Sequence, residues 1–311
     1  MLNQNARKLY DLVSCRQPEK VVAEIEGIVA LMAVDVDSAL LRQALDDVTR
    51  LFGGEYPGYQ ASNTAYHDLE HTLAVMLAMT RLLHGWQVEG NYVSGREILL
   101  GVLAALFHDT GLIQRLDETE GTGARFTVGH EERSLRLAAQ YLGDKDFDAE
   151  EIEDCAQIIR ATTLSRNLKD ISFRSESVKV LAKSLAAADL LAQMADRTYL
   201  EKLPLLYREF SEAGLTGFES ALDLIRKTNK FYSDVARPRL HGQFGNIKRV
   251  LRAHFRIRWQ IDRDLYAEAI NSNFTYLQRL LDSCGETYNC YLENLHRRGI
   301  TTRIRNEVSG G

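Results

Sequence analysis

The sequence predicts an all-α protein, and three observations lead to this class. Apolar residues recur at three- and four-residue spacing over most of the 311 residues, as expected for helices that bury one face. Segments with the strict alternation typical of strands are few. Only four prolines interrupt the chain, and 45% of its residues are hydrophobic, which is enough to form a large core. We therefore expect a multi-helix bundle.

The N-terminal part is predicted to contain two helices, a loop and a third helix. Apolar spacing predicts helices over residues 20–32 and 37–52. The segment "GGEYPGYQ", residues 53–60, predicts a loop because it is rich in glycine and contains proline. A third helix is expected to begin near Ser62 or Asn63, since both residues cap helices well, and to end near Gly85.

The next helix has the clearest beginning. "SGRE", Ser94–Glu97, fits a capping box and is followed by "ILLGVLAALF". This run is apolar on every side, so we expect it to lie in the middle of the bundle and to end at Phe107. Further helices are predicted at residues 130–142, 148–163, 177–200, 202–213, 216–232, 245–260 and 263–282.

No repeat of fixed period and no break in composition divides the chain. We expect a single all-α domain over residues 1–311. Within it, residues 1–60 would form an N-terminal helical layer and residues 60–195 the core. Residues 196–311 would supply helices that cover this core.

Charge and apolar content exclude some classes of partner. The net charge is −5 and basic residues are dispersed, apart from the tail His296–Arg305. Nucleic acid is therefore not an expected partner, because its binding needs a concentrated basic face. The longest apolar run, Ile98–Phe107, is about half of a membrane span, so no membrane partner is expected.

The cysteines and the first residues suggest a compartment. No apolar segment of the kind found in a signal peptide follows Arg7 and Lys8. We expect reduced thiols and a cytoplasmic protein, because no CxxC pair occurs among the four cysteines, which are Cys15, Cys155, Cys284 and Cys290.

"AYHDLEHT", residues 65–72, places two histidines four residues apart. On one continuous helix His67 and His71 would lie about 40° apart around the axis, so both could face one centre. Such a pair alone is a weak indication of a metal site, since two surface histidines are the ordinary alternative.

Three acidic or imidazole side chains in apolar surroundings strengthen the metal hypothesis. His108 and Asp109 end the apolar run, and Asp189 interrupts "LAAADLLA", residues 185–192. Burying a carboxylate without a partner costs on the order of several kcal/mol. A metal ligand role or a hydrogen-bond network is therefore expected to offset this cost. Alternatively, His108–Asp109 is a charged helix end and Asp189 caps a neighbouring helix.

Together, His71, His108, Asp109 and Asp189 form the candidate metal-ligand set. Imidazole and carboxylate ligands suit Zn, Fe, Mn, Co or Mg. His130 opens a helix in "GHEERS", residues 129–134, where it could face the same site. The remaining histidines are interpreted as structural or exposed: His84, His241, His254 and His296.

These motifs resemble the HD-domain metal-dependent phosphohydrolase superfamily. "YHDLEHT" is similar to the YHNxxH motif of class I cyclic nucleotide phosphodiesterases, "ALFHDTG" resembles the HD motif, and "AAADLLA" resembles the segment with the last ligand aspartate. "GHEERS" is similar to a helix start found in many bacterial relatives. The resemblance covers about residues 60–195 and implies an HD-type bundle with a buried metal centre.

Carried over residue by residue, the resemblance implies a role for each motif residue. His71, His108, Asp109 and Asp189 would bind a first divalent ion, and Asp109 would bridge to a second. His130 would contact the second ion or its water. His67 would be the general acid that protonates the leaving oxygen. Glu70 would orient an imidazole, as carboxylates near metal sites often do.

The implied function is hydrolysis of a small phosphoester, most simply a nucleotide phosphodiester, by water activated between two ions. Two departures separate the chain from the phosphodiesterases. Asp68 stands where they have Asn, and Gln243 is followed at the third position by Asn246 and not by the phenylalanine of their purine clamp.

Three other functions stay open from the sequence. A nucleotide or deoxynucleotide phosphatase would use the same ligands on a terminal phosphate. A di-iron oxygenase would use His130 as a direct ligand. A sensor or scaffold with a degenerate site would need no chemistry.

Overall fold

The computed structural model describes residues 6–243, 245 and 247–309 and confirms the all-α class. Its described residues form thirteen α-helices and no strand; the β-type pairing they contain is an isolated bridge between Tyr59 and Arg115. The helices are α1 (Pro18–Met32), α2 (Ser38–Gly53), α3 (Leu69–Val88), α4 (Gly95–Phe107), α5 (His130–Gly143), α6 (Ala149–Arg160), α7 (Glu176–Ala195), α8 (Tyr199–Glu212), α9 (Ala221–Phe231), α10 (Ile247–Trp259), α11 (Leu265–Cys284), α12 (Tyr288–Asn294) and α13 (Ile300–Ser309).

Two central helices organise the bundle. α3 packs against α1, α4, α7 and α10, and α4 packs against α2, α5, α6 and α7. The predicted capping box of α4 is confirmed, since Ser94 Oγ accepts from the Glu97 N–H and Glu97 accepts from the Ser94 N–H. Every residue from Ile98 to Phe107 is buried, as the uniformly apolar run indicated.

α3 begins later than predicted. Its N-cap is Asp68, whose carboxylate accepts a hydrogen bond from the His71 N–H at 2.8 Å, and its first residue is Leu69. The prediction of a start near Ser62 or Asn63 is therefore wrong. Three good capping residues compete over seven positions, and the side chain of Asn63 is engaged with Gln114 instead.

The C-terminal tail is also more structured than expected. α12 and α13 were not predicted, and the basic tail continues into α13.

Cys284 and Cys290 form a disulfide across the α11–α12 turn, so the expectation of four free thiols is wrong for this pair. Cys15 and Cys155 are free. No helix in the described ranges has the length and apolar character needed to span a bilayer.

Candidate metal centre

The cap of α3 aims His71 at the centre of the bundle. Because Asp68 holds the His71 N–H, the imidazole leaves the first turn of α3 and is 7% exposed. His67 lies before the helix, in a turn fixed by a hydrogen bond from Thr64 Oγ1 to the His67 carbonyl at 2.8 Å. The two rings still approach to 5.9 Å between centroids. Their proximity therefore comes from this turn and not from helical spacing.

The end of α4 supplies two more side chains. His108 donates from Nδ1 to the Ala105 carbonyl at 2.8 Å, which leaves Nε2 free to act as a ligand. Its Nε2 lies 3.2 Å from Asp109 Oδ2, and His71 Nε2 lies 3.5 Å from the same oxygen. One donor atom from each of these three residues lies within 4.8 Å of the others.

α7 and α5 complete the cluster from two other directions. Asp189 Oδ1, on α7, lies 3.3 Å from His71 Nε2. His130 Nε2, at the first residue of α5, lies 3.2 Å from Asp109 Oδ1. The two oxygens of Asp109 thus face different partners, with His71 and His108 on one side and His130 on the other.

A glycine permits the approach of α5. Gly111 lies in the 3₁₀ turn Thr110–Leu112, and a Cβ placed on it would stand 2.0 Å from the His130 carbonyl oxygen. Its N–H also donates to Ser134 Oγ at 2.9 Å. Only glycine allows this turn to rest against the start of α5, and this contact brings His130 beside Asp109.

Charges in the cluster are strongly coupled. Burial alone lowers the pKa of His108, but the Asp109 carboxylate outweighs it and raises that pKa to about 9. The same two effects act on His130. Burial lowers its pKa, and the hydrogen bond and charge of Asp109 raise it to about 9. Burial favours a neutral Asp109, yet the surrounding imidazoles hold its pKa well below the usual range.

The donor set fits a divalent ion. His71 Nε2 and His108 Nε2 are buried and have no hydrogen-bond partner in the described part of the protein, although a buried polar atom left unpaired is costly. Both atoms face carboxylate oxygens, and this mixture of imidazole and carboxylate suits Zn, Fe, Mn, Co or Mg. His71, His108, Asp109 and Asp189 could therefore hold one ion, and Asp109 with His130 could contact a second.

The carboxylate that holds His67 is Glu209, which the sequence analysis missed. Glu209 Oε2 lies 2.6 Å from His67 Nδ1, and its Oε1 accepts from the Tyr66 N–H at 2.6 Å. Burial lowers the pKa of His67, but this hydrogen bond reverses the effect and raises the pKa. Glu209 is buried on the α8 face that carries Leu203 and Leu206, a position that the sequence alone does not distinguish from the rim of an amphipathic helix.

Glu70 has a different neighbourhood from the one expected. Its carboxylate accepts two hydrogen bonds from Arg298 at 2.8 Å and lies 3.4 Å from Arg16. In the structure, Glu209 and not Glu70 is the carboxylate that holds an imidazole, the ring of His67. Asp68 accepts from Lys202 Nζ at 3.2 Å besides capping α3, and this ion pair explains why a carboxylate stands at that position.

The remaining predicted positions lie apart from the cluster. His84 and His254 are buried against each other, whereas His241 and His296 are exposed. Asn246 and the side chain of Gln243 lie outside the described residues. The comparison of these two residues with the purine clamp of the phosphodiesterases therefore rests on the sequence alone.

The fold and the site define an all-α protein with a buried His/Asp cluster at the meeting point of four helices. Residues 57–253, more than half of the chain, match the Npun_R2479-like family model, and the chain belongs to that family. The matched region contains every residue of the cluster as well as His67 and Glu209. No curated protein matches the chain.

Proposed function

We propose that this protein is a metal-dependent phosphohydrolase that cleaves a nucleotide-type phosphodiester. The observation that carries the proposal is the convergence of His71, His108, Asp109 and Asp189. Two of their buried imidazole nitrogens have no hydrogen-bond partner among the residues that the structure describes. His67 stands beside this cluster on a separate carboxylate, Glu209.

The metal set supplies the electrophilic part of the chemistry. Two bound divalent ions would lower the pKa of a water and neutralise charge on the phosphoryl oxygens. His71, His108, Asp109 and Asp189 would hold one ion, and Asp109 and His130 would contact the other. The hydrogen bonds from His108 Nδ1 to Ala105 and from His130 Nδ1 to Thr127 fix both rings with Nε2 inward.

His67 is suited to deliver a proton to the leaving oxygen. Glu209 holds its Nδ1–H, so Nε2 is the nitrogen that can donate to a substrate. The His67 side chain is 15% exposed, whereas that of Glu209 is 5% exposed, so substrate can reach the imidazole but not the carboxylate. An alkoxide is a poor leaving group, and its expulsion therefore benefits from this acid.

A di-iron oxygenase is the second candidate, favoured by one observation. His130 Nε2 lies 3.2 Å from the second oxygen of Asp109, close enough to make it a direct ligand. Iron loading under anaerobic conditions followed by a search for an oxygen-dependent absorption band separates the two functions. A band together with no phosphoester hydrolysis would favour the oxygenase.

The test of the proposal is the isosteric variant Asp109→Asn. We expect the wild type, reconstituted separately with Mn, Fe, Zn or Mg, to retain metal and to hydrolyse members of a panel of cyclic mononucleotides, nucleotides and bis(p-nitrophenyl) phosphate. Asp109→Asn should lower both metal content and hydrolysis by at least about 100-fold, since it removes the shared ligand.

Asp117→Asn is the matched control, because Asp117 is 78% exposed and pairs with surface Arg115. It should behave as the wild type. Full activity of Asp109→Asn, or no hydrolysis of any panel member by the metal-loaded wild type, would overturn the proposal. The second result would favour a sensor or scaffold.

A further inference from the structure

A cavity of about 250 Å³ adjoins the metal centre along α3. It is lined by the N-terminal segment and by parts of α3, α7, α8 and α11. His71 lies on its wall, and Arg81 lies on the same wall ten residues further along α3, about 15 Å away along the helix axis. A molecule in this cavity therefore contacts a candidate metal ligand and extends away from the centre.

Arg81 is a buried cation without a carboxylate partner among the described residues. It is 3% exposed, and its Nη1 donates to the Tyr266 hydroxyl at 3.0 Å. Its guanidinium lies over the rings of Phe255 and Tyr266 at 5.6 and 5.7 Å from their centroids. Arginine stays protonated in proteins, so this charge persists inside the protein.

The two remaining donors of Arg81 form one edge of the guanidinium. Nε and Nη2 are buried and have no hydrogen-bond partner in the described part of the chain. Two parallel N–H groups on one edge match the two oxygens of a carboxylate or phosphate. Tyr66, whose hydroxyl is also buried and has no partner within the same described ranges, is another residue of the cavity lining.

The acids that line the cavity are already engaged. Glu70 is held by Arg298, and Asp196 accepts hydrogen bonds from the N–H and the hydroxyl of Thr198 and lies 3.6 Å from Lys202 Nζ. They leave the charge of Arg81 uncompensated. A buried charge of this kind is tolerated when a ligand of opposite sign completes it.

We propose that this cavity binds a second anionic group of the substrate, an oxyanion remote from the phosphoester that is cleaved, with Arg81 as the cation that attracts it and Tyr66 as a neighbouring lining residue. The proposal rests on the proposed hydrolase function, because it places the reacting group at His71. A volume of about 250 Å³ is just below that of drug-sized ligand sites, so the substrate is a small molecule with two anionic groups.

Anion binding is tested first, without hydrolysis. Inorganic phosphate is titrated calorimetrically into chelator-treated and metal-loaded protein for the wild type, Arg81→Met, Arg81→Lys and the control Arg42→Met, whose side chain is 64% exposed. In the chelator-treated protein we expect Arg81→Met to weaken phosphate binding at least about 10-fold, Arg81→Lys less, and Arg42→Met not at all.

Acetate and inorganic phosphate in parallel titrations separate a carboxylate site from a phosphate site. The variants are compared at equal folded fraction by circular dichroism, and Arg81→Lys carries the comparison if Arg81→Met does not fold. No phosphate or acetate binding by the wild type, or equal binding by the wild type and the Arg81 variants, would overturn the proposal.

Substrate choice is tested second, on the metal-loaded protein. The p-nitrophenyl phosphodiester of 1,8-octanediol is compared with the same ester carrying a phosphate on its far hydroxyl, because an eight-carbon chain is long enough to reach from His71 toward Arg81. We expect the wild type to favour the doubly anionic ester by at least about 10-fold in kcat/KM and Arg81→Met to lose this preference. An equal preference in both proteins contradicts the role of Arg81, whereas hydrolysis of neither ester contradicts the proposed function and leaves the phosphate titration to decide on the cavity.

Discussion

At the scale of single residues, Asp109 and Glu209 hold different imidazoles of the candidate site. Asp109 lies between three imidazoles, with one oxygen toward His71 and His108 and the other toward His130. Glu209 belongs to none of these contacts and holds His67 and the Tyr66 N–H. A substitution at Glu209 should therefore change proton delivery without changing metal binding.

The sequence could predict one of these carboxylates and not the other. Asp109 follows ten apolar residues, and an acid in that place needs a specific partner. Glu209 reaches His67 across 142 positions of sequence, and nothing local distinguishes it from an acid at the rim of an amphipathic helix. Glu70 was the nearer candidate, but Arg298 competes for its carboxylate from the other end of the chain.

Glu209→Gln should slow the cleavage of esters with poor leaving groups more than that of p-nitrophenyl esters. The amide cannot stabilise a protonated His67, and only an alkoxide leaving group needs that proton. We expect kcat to fall about 100-fold for an alkyl phosphodiester and less than about 10-fold for bis(p-nitrophenyl) phosphate, since general acid catalysis contributes roughly 10²–10⁴-fold. Steady-state kinetics with both esters checks this.

Glu219→Gln is the control, because Glu219 is exposed in the loop after α8. Metal content should be unchanged in both variants. An equal loss of kcat for the two esters would show that Glu209 acts on the fold or on the metals and not on the leaving group.

At the scale of elements, close backbone contacts set where the ligands meet. The 3₁₀ turn after Asp109 rests on the start of α5, with Arg133 Nε donating to the Gly111 carbonyl at 2.7 Å. The sequence predicted that α4 ends at Phe107 and that α5 begins at His130, and both boundaries are confirmed. It could not predict that the two ends touch, because a glycine in "HDTG" looks the same whether it faces solvent or a neighbouring carbonyl.

Gly111→Ala should separate α5 from this turn. The added Cβ would lie 2.0 Å from the His130 carbonyl oxygen and 2.7 Å from the Ser134 nitrogen, and backbone atoms cannot move aside as a flexible side chain can. We expect a loss of about 1–3 kcal/mol in the free energy of unfolding, as for other overpacked sites. Metal affinity should fall as well, because His130 moves away from Asp109. Urea denaturation and metal titration measure the two effects.

Gly53→Ala provides the comparison, since no atom of the described residues would lie within 4 Å of a Cβ at Gly53. Alanine also favours the helical conformation there. If Gly111→Ala matched Gly53→Ala in both stability and metal affinity, the contact between the turn and α5 would not be what positions His130.

At the scale of the whole molecule, the central helix α3 serves two regions of opposite electrostatic character. Its first turn carries His71 into the acidic cluster, where the Asp109 carboxylate raises the pKa of the neighbouring His108. Its last turns carry His84 against His254 of α10, with the two Nδ1 atoms 3.1 Å apart and cationic Arg81 and Arg258 nearby. The pKa of His108, beside the first turn of α3, is therefore raised, whereas the pKa values of His84 and His254 near its end are lowered.

Burial, followed by repulsion from Arg258, lowers the pKa of His84 to about 4. Burial, with Arg81, His84 and Arg258 adding to it, holds the pKa of His254 well below its usual range. Both histidines are thus neutral in the folded protein at a pH where they become protonated in the unfolded chain. Since the unfolded state binds more protons below pH 6.5, stability must fall as the pH decreases from about 6.5 to about 4.

The variant His84→Asn/His254→Asn should lose this part of the acid sensitivity. Each histidine can contribute a slope of at most about 1.4 kcal/mol per pH unit within that window, and asparagine does not titrate there. Urea denaturation of the wild type and the double variant at several pH values between 4 and 8 gives the difference in slope. The imidazoles of the candidate metal centre cancel in this difference, because both proteins contain them.

His296→Asn, at an exposed position, should keep the wild-type slope. A double variant as acid-sensitive as the wild type would show that the α3–α10 contact does not exclude protons.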